Sequence, residues 1–289
     1  MMENLSKIFK FITVSLDFLN KYFKLFVLLI IVLFIIGANQ EETPKNANLA
    51  KLYLQGPIFE SDSFGQQIQE IKKNPNIKGV LLIIDSPGGS VGASIEIANM
   101  IKDLRDSLPV IAHVEGAMAS GSYYAGMYSD KIIANRGSMI GSIGVILNGY
   151  NIKPLLDKVG IKEQSLQEGE YKAIGSFTRE WTPKEKEFLQ SFLKKQYNLF
   201  VNDVLEARSL TNTDPKVFAE GKIFSASEAL KLKLIDEIGS RSQAIKELSD
   251  IAQVSNPVFL EKSKTEKIFD KLTQSSTSIL FNLFKGQIQ

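Results

Sequence analysis

Residues 78–90 read KGVLLIIDSPGGS: a short apolar run, an aspartate, then a proline and two glycines. An apolar run of this length, bounded by turn residues, suits a strand buried on both faces, and such strands belong to parallel sheets. A helix is expected next, at about 91–108, with Ile95, Ile97, Ala98, Ile101 and Leu104 on its buried side. PVIAHV, residues 109–114, reads as the following strand. EGAMASGSYY, residues 115–124, leads from it into another helix starting at Ser120. Working outward, residues 49–58 (LAKLYLQGPI) make a strand that stops at Gly56-Pro57, residues 63–73 are helical, and 131–134 form one more strand. Strands alternating with helices imply βαβ crossovers, hence an α/β fold with a mainly parallel sheet and helices on both faces.

Beyond this core the pattern loosens. SMIGSIGVI, residues 138–146, is apolar and glycine-rich; 151–160 reads as a helix, 161–168 as a strand or extended segment, and 169–182 as a loop. Thr182-Pro183 is a cap followed by proline at the first helical position. The helix it starts runs to about Arg208, with Phe188, Leu189, Phe192, Leu193, Tyr197, Phe200, Val201, Val204 and Leu205 as its apolar stripe. Short helices near 214–220 and 225–232, a short strand at 234–239 and a helix at 240–252 complete the domain. A tail, 256–289, has amphipathic helical spacing over 262–286 that suits a partner subunit, a membrane surface or its own domain.

The N-terminal segment is different in kind. Residues 25–38, LFVLLIIVLFIIGA, are uninterrupted apolar sequence. At 1.5 Å per residue this covers about 21 Å, short of a hydrocarbon core of about 30 Å, and extension back to Phe18 makes up the length. Lys7, Lys10, Lys21 and Lys24 precede the run, while Glu41 and Glu42 follow it, which places the N-terminus in the cytoplasm. A cleaved signal peptide and a buried core helix are the alternatives, but Ile36-Gly37-Ala38 is a poor small-x-small cleavage site. The expected organisation is a cytoplasmic N-terminus (1–17), a single-pass transmembrane signal-anchor (18–38), a polar linker (39–48), a catalytic domain (49–255) outside the cytoplasm, and the tail.

Composition narrows the chemistry. A net charge of +2 with no dominant basic block argues against nucleic acid. Cysteine is absent, so thiol catalysis, disulfides and cysteine-ligated zinc are excluded together. Ser120 has two readings. It is either an N-cap whose oxygen satisfies a backbone N–H, or a nucleophile presented on a strand-to-helix turn among small neighbours. Gly88-Gly89 likewise is either a tight βα turn or a source of amide donors for an oxyanion. A phosphate loop is disfavoured, because no Lys-Ser/Thr pair follows. The one histidine, His113, lies inside the strand that leads to Ser120, which is unfavourable geometry for a base. Most lysines sit on solvated helix faces, whereas Lys172 lies in EYKAIGSF, where burial by a substrate or subunit wall would depress its pKa.

Four motifs stand in order: DSPGGS (85–90), AMASGSYY (117–124), GSIGVI (141–146) and YKAIGSFTREWTPKEKE (171–187). On these the chain resembles signal peptide peptidase A of bacteria, the short form with one catalytic domain, over about 49–250 and the N-terminal anchor. The resemblance implies a Clp/crotonase-like fold and a Ser/Lys serine protease with no metal and no cofactor. By motif, Ser120 is its nucleophile, Lys172 its general base, Ser142 a lysine-orienting group, and the Gly89 and Gly121 amides its oxyanion hole. It further implies hydrophobic peptide substrates such as remnant signal peptides. A bacterial cytoplasmic (inner) membrane location is implied too, and a ring- or dome-shaped homo-oligomer whose base can reach a neighbour's serine. The family usually has glycine where this chain has Ser122, a side chain that could narrow the pocket near the nucleophile but, being small, is not expected to abolish activity. Two other readings are a crotonase-type acyl-CoA enzyme, with no use for the anchor or Lys172, and a non-catalytic membrane scaffold.

Overall fold

Strand β2 (Val80–Ser86) is flanked on both edges and covered on both faces in the computed structural model, which describes residues 18, 21–30, 32, 46–210 and 213–260. Its side chains alternate, Leu81 and Ile83 to one face and Leu82 and Ile84 to the other, and all four are fully buried. Strands β1 (Leu49–Gln55) and β3 (Val110–Ala119) pair with it in parallel. The remaining strands are β4 (Lys131–Ala134), β5 (Met139–Gly141), β6 (Ile223–Ser225), β7 (Glu237–Ile238) and β8 (Phe259–Leu260). The sheet order is β6-β5-β3-β2-β1-β8, with β4 beside β3 and β7 beside β4. Of these pairings β5 with β6 is antiparallel and the others are parallel.

Helices α1 (Asp62–Lys72), α2 (Val91–Arg105), α3 (Gly121–Gly126) and α5 (Pro183–Ala207) pack on one face through Phe64, Ile101, Tyr123 and Val204, against Leu82 and Ile84. Helix α8 (Arg241–Ile251) covers the other through Ala244 and Leu248, against Leu81, Ile83 and Ile111. Helices α4 (Lys153–Val159), α6 (Pro215–Phe218) and α7 (Ala226–Lys231) are the others among the described residues of 46–260. Residues Asn46–Leu260 form one compact unit. The α/β architecture with helices on both faces is the one expected from the strand pattern.

Strand β3 runs past the expected end at residue 114. Its first half pairs with β4 through Ile111–Val114 and its second half with β5 through Ala117–Ala119. Between them its register against β2 shifts, from Ile84 opposite Val114 to Ser86 opposite Met118. The Asp85 carboxylate accepts the Ala117 N–H at 3.0 Å, which pairs a backbone donor inside the irregular stretch. The irregularity hands β3 from one neighbour to the next and delivers its end at Ser120.

Other details differ from expectation. Residues 161–167 have no regular structure, and β6 and β8 were too short to carry a periodic signal. The apolar stripe of α5 is buried at Phe200, Val201 and Val204, but Phe188 and Phe192 are each 49% exposed. Residues 21–30 are helical, and among the described residues no helix is long and apolar enough to cross a membrane. The rest of the expected anchor (19–20, 31 and 33–38) and the tail from 261 lie outside the described residues.

Tyr123 is fully buried in α3 and its hydroxyl donates to Leu234 O at 2.9 Å. Tyr123→Phe leaves that carbonyl unpaired and is expected to cost about 1–3 kcal/mol, read by denaturant unfolding. Unchanged stability would show that the bond contributes nothing.

Candidate active site

Ser120 is the residue before α3, with φ 53 and ψ −122 and no side-chain capping hydrogen bond. The hydroxyl is therefore not used as a cap. A non-glycine residue held at positive φ costs about 1–3 kcal/mol and persists where its surroundings over-determine it. Ser120 N–H donates to Gly141 O at 2.7 Å, and Tyr124 N–H donates to Ser120 O at 3.0 Å. Strand β5 thus fixes the turn from one side and the helix from the other.

The turn after β2 comes up against it backbone to backbone. Gly88 has φ 88, and a Cβ there would stand 2.5 Å from Gly121 N and 2.9 Å from Ser120 Cβ. Only glycine fits that approach. Ile58 N–H donates to Gly88 O at 2.9 Å, and Ser90 N–H donates to Ile58 O at 2.7 Å. In such a parallel bridge the intervening Gly89 N–H points away from Ile58. A Cβ on Gly121 would lie 3.2 Å from that Gly89 nitrogen and would collide with Ser94 Oγ. Gly121 N–H is the first of its helix and has no intrahelical acceptor. Two amide donors and the Ser120 hydroxyl therefore share one site, the arrangement that stabilises an oxyanion formed by attack on a carbonyl.

That site opens into a solvent-accessible cavity whose lining includes Gly89, Ser120 and Gly121. Its side walls are mostly apolar: Val91, Ile95, Tyr124, Val145, Leu199 and Phe200, with Ser94 and Gln196 as polar groups. The Tyr124 ring packs on Phe200 at 4.9 Å, and its hydroxyl donates to Asp203. Burial, reinforced by Asp203, pushes the Tyr124 phenol far up, so it stays neutral. An apolar side chain of a substrate is the natural occupant.

The other expected site residues stand apart from this cavity to different degrees. Ser142 follows β5, one residue beyond the carbonyl that holds Ser120; it is half-buried at φ 50, and its N–H donates to Lys222 O at 2.6 Å. It does not line the cavity. Lys172 does not line it either and is exposed, in a run of turns. That run is tied down at its C-terminal end. Arg179 donates to Ala173 O at 3.1 Å and to both carboxylate oxygens of Glu185 at 2.6 and 2.8 Å, and Trp181 Nε1 donates to Ser176 O at 3.0 Å. Tyr171 stacks on Phe188 with ring centres 4.8 Å apart. Glu185 also completes the capping box of α5 with Thr182.

His113 is 2% exposed, and its Nδ1 lies 3.1 Å from Ile133 O, so Nδ1 carries the proton. Burial pushes its pKa down. It follows Ile111 by two residues on β3 and so faces α8, away from the cavity side. Ser122 does not narrow the pocket. It is fully buried, outside the lining, with Oγ bonded to backbone groups of Ala119 and Ser86. Ser94 was not singled out by sequence, since an isolated serine on a helix carries no periodic or motif signal; Asp85 stood in the DSPGGS motif, but its bond to the Ala117 N–H depends on a strand 32 residues away.

The family model for peptidase family S49 matches residues 102–255, a span holding Ser120, Ser142 and Lys172. This chain belongs to peptidase family S49. The Clp protease family model matches residues 50–140, from β1 into β5, in keeping with an α/β fold of the Clp protease type. A candidate protease of Methanocaldococcus jannaschii is 36% identical over 83% of this chain and 85% of its own length. A candidate signal peptide peptidase of Enterococcus faecium is 31% identical over 76% of this chain and 68% of its own. A chloroplastic serine protease of Arabidopsis thaliana is 30% identical over 78% of this chain and 32% of its own. As a member of S49 among such relatives, the chain is a serine-type peptidase.

The anchorage of the Lys172 turns has a pH limit. The Arg179 guanidinium, with the Thr182 N–H, holds the Glu185 carboxyl down at about 2. A depressed carboxylate stabilises the fold above its ordinary pKa near 4.5, and that contribution is lost as pH falls toward 2. Acidification across that window is expected to release the Lys172 turns first, read as faster amide exchange over 170–181 than in β2. Glu185→Gln should show the same fast exchange at neutral pH, and protection equal to the parent would contradict the anchoring role.

Proposed function

We propose that this S49 chain is a membrane-anchored endopeptidase that cleaves hydrophobic peptides, remnant signal peptides among them, through a Ser120/Lys172 dyad and an acyl-enzyme. The observation that carries the reading is the strained Ser120 turn beside the Gly89 and Gly121 amides at the mouth of an apolar cavity. Ser120 Oγ attacks the peptide carbonyl while neutral Lys172 Nζ takes its proton. The carbonyl oxygen becomes an oxyanion held by the two amides. As the C–N bond breaks, the lysine returns the proton to the leaving amine. Water, deprotonated by the same lysine, then cleaves the ester and frees Ser120. Ser142 orients the lysine.

For Lys172 to be neutral it needs an apolar, covered setting, whereas in a single chain it stands exposed. The segment around it is unusually bare. Helix α4 has no buried residue, and Tyr150, Leu155, Val159 and Phe177 are all more than half exposed. A second copy of the chain covering this surface would bury both the apolar residues and the lysine. This supports a ring- or dome-like homo-oligomer in which the base is delivered to a neighbour's Ser120. The apolar run at 25–38, with lysines before it and glutamates after it, supports a single-pass anchor and a catalytic domain outside the cytoplasm. The name of the Enterococcus faecium relative supports signal peptides as substrates.

Ser120→Ala and Lys172→Ala are each expected to lower hydrolysis of a hydrophobic peptide by at least about a hundredfold with the fold intact, as loss of a nucleophile or a general base does. Rates equal to the parent in either variant would sink the dyad.

A further inference from the structure

The Ser122 hydroxyl is inserted between β2 and β3 at the point where the two strands part. Ser122 is fully buried. Its Oγ accepts the Ala119 N–H at 2.8 Å and donates to Ser86 O at 2.7 Å, with Ala119 O at 2.9 Å as a second acceptor in reach. A hydroxyl has one proton and two lone pairs, so it serves Ala119 and Ser86 at once. Ala119 is the residue before Ser120, and Ser86 is the residue from which the Gly88-Gly89 turn departs. Ser86 Oγ in turn accepts the Gly88 N–H at 3.2 Å. A continuous link therefore runs from the backbone of the nucleophile turn, through the buried Ser122 and Ser86 side chains, to the Gly88 N–H in the turn carrying the amide donors.

We propose that Ser122 is a positioning residue: its hydroxyl holds Ser120 Oγ in register with the Gly89 and Gly121 amides without touching substrate. The inference rests on Ser120 being the nucleophile. Removing the hydroxyl leaves a buried N–H and a buried C=O without their partner, and the two turns relax toward other bonds. The positive φ of Ser120 then has one constraint fewer, with the Gly141 carbonyl remaining. Cavity walls from α2 and α5 do not depend on this link, and Tyr124 of α3 is held separately by Phe200 and Asp203, so the loss falls on the chemical step and leaves binding unchanged. Small misplacement of a reacting group is costly: a shift of about 1 Å can slow a reaction about a hundredfold.

The test uses the full chain and an alkyl fluorophosphonate. Ser120 Oγ forms a P–O bond, fluoride leaves, and the serine proton passes to the base. The maximal labelling rate and the half-saturating probe concentration are measured for the parent, Ser122→Ala and Tyr123→Phe. Tyr123→Phe removes a different buried bond from the same helix and controls for general loosening. Ser122→Ala is expected to lower the maximal rate by about ten- to a hundredfold, with the half-saturating concentration within about twofold. Tyr123→Phe is expected to keep the parent's rate. A parent-like rate in Ser122→Ala, or an equal loss in Tyr123→Phe, overturns the inference. If Ser122→Ala does not fold, Ser122→Gly is read by the same criteria. A parent that takes no label at Ser120 overturns the nucleophile reading, and this inference with it.

Discussion

Two backbone turns, one ending β2 and one ending β3, meet with no space for a side chain between them. A Cβ on Gly88 would stand 2.5 Å from Gly121 N, and one on Gly121 would run into Ser94. Close approach of bare backbone is what brings two N–H donors beside one hydroxyl. It is possible because β2 and β3 are parallel neighbours in the interior of the sheet, so their C-terminal ends lie side by side. The irregularity at 115–117 then lengthens β3 past Ser86 and lets β5 take hold of Ser120 through Gly141. The sheet supplies the rigidity that a strained serine needs.

The same construction explains which residues are absent from the site. His113 belongs to the other face of β3 and is bonded to Ile133, so the nearest imidazole in sequence is remote in function. The lysine assigned as base rides on an exposed segment whose own fastening is polar: Arg179 grips Glu185 and Ala173, and Trp181 grips Ser176. On the proposed dyad, nucleophile and oxyanion donors are built into the sheet, while the base is carried on a separately fastened run of turns. Activity on this account requires both parts to be brought together.

Much of the fold was legible because buried parallel strands are short apolar runs. VLLIIDS in β2 and the apolar start of β3 could be read as strands without ambiguity. The second half of β3 could not, since EGAMA is small and glycine-containing and becomes a strand only through tertiary pairing with β5 and the Asp85 carboxylate. The apolar stripe of α5 was equally legible, but periodicity cannot say that Phe188 and Phe192 stay uncovered in one chain. Ser120, Gly89 and Gly121 carried a turn signature that ordered motifs converted into a site. Ser122 did not, because whether a serine beside a nucleophile points into the pocket or into the ladder depends on atoms from another strand.

The most direct measurement is complementation. Ser120→Ala and Lys172→Ala chains, each expected to be inactive alone, are co-expressed and assayed together for hydrolysis of a hydrophobic peptide. If the base reaches the serine of another copy, mixed assemblies contain sites with a native Ser120 from one chain and a native Lys172 from the other, and activity returns. Mixed assemblies that form but remain inactive would contradict the account of a lysine delivered between chains.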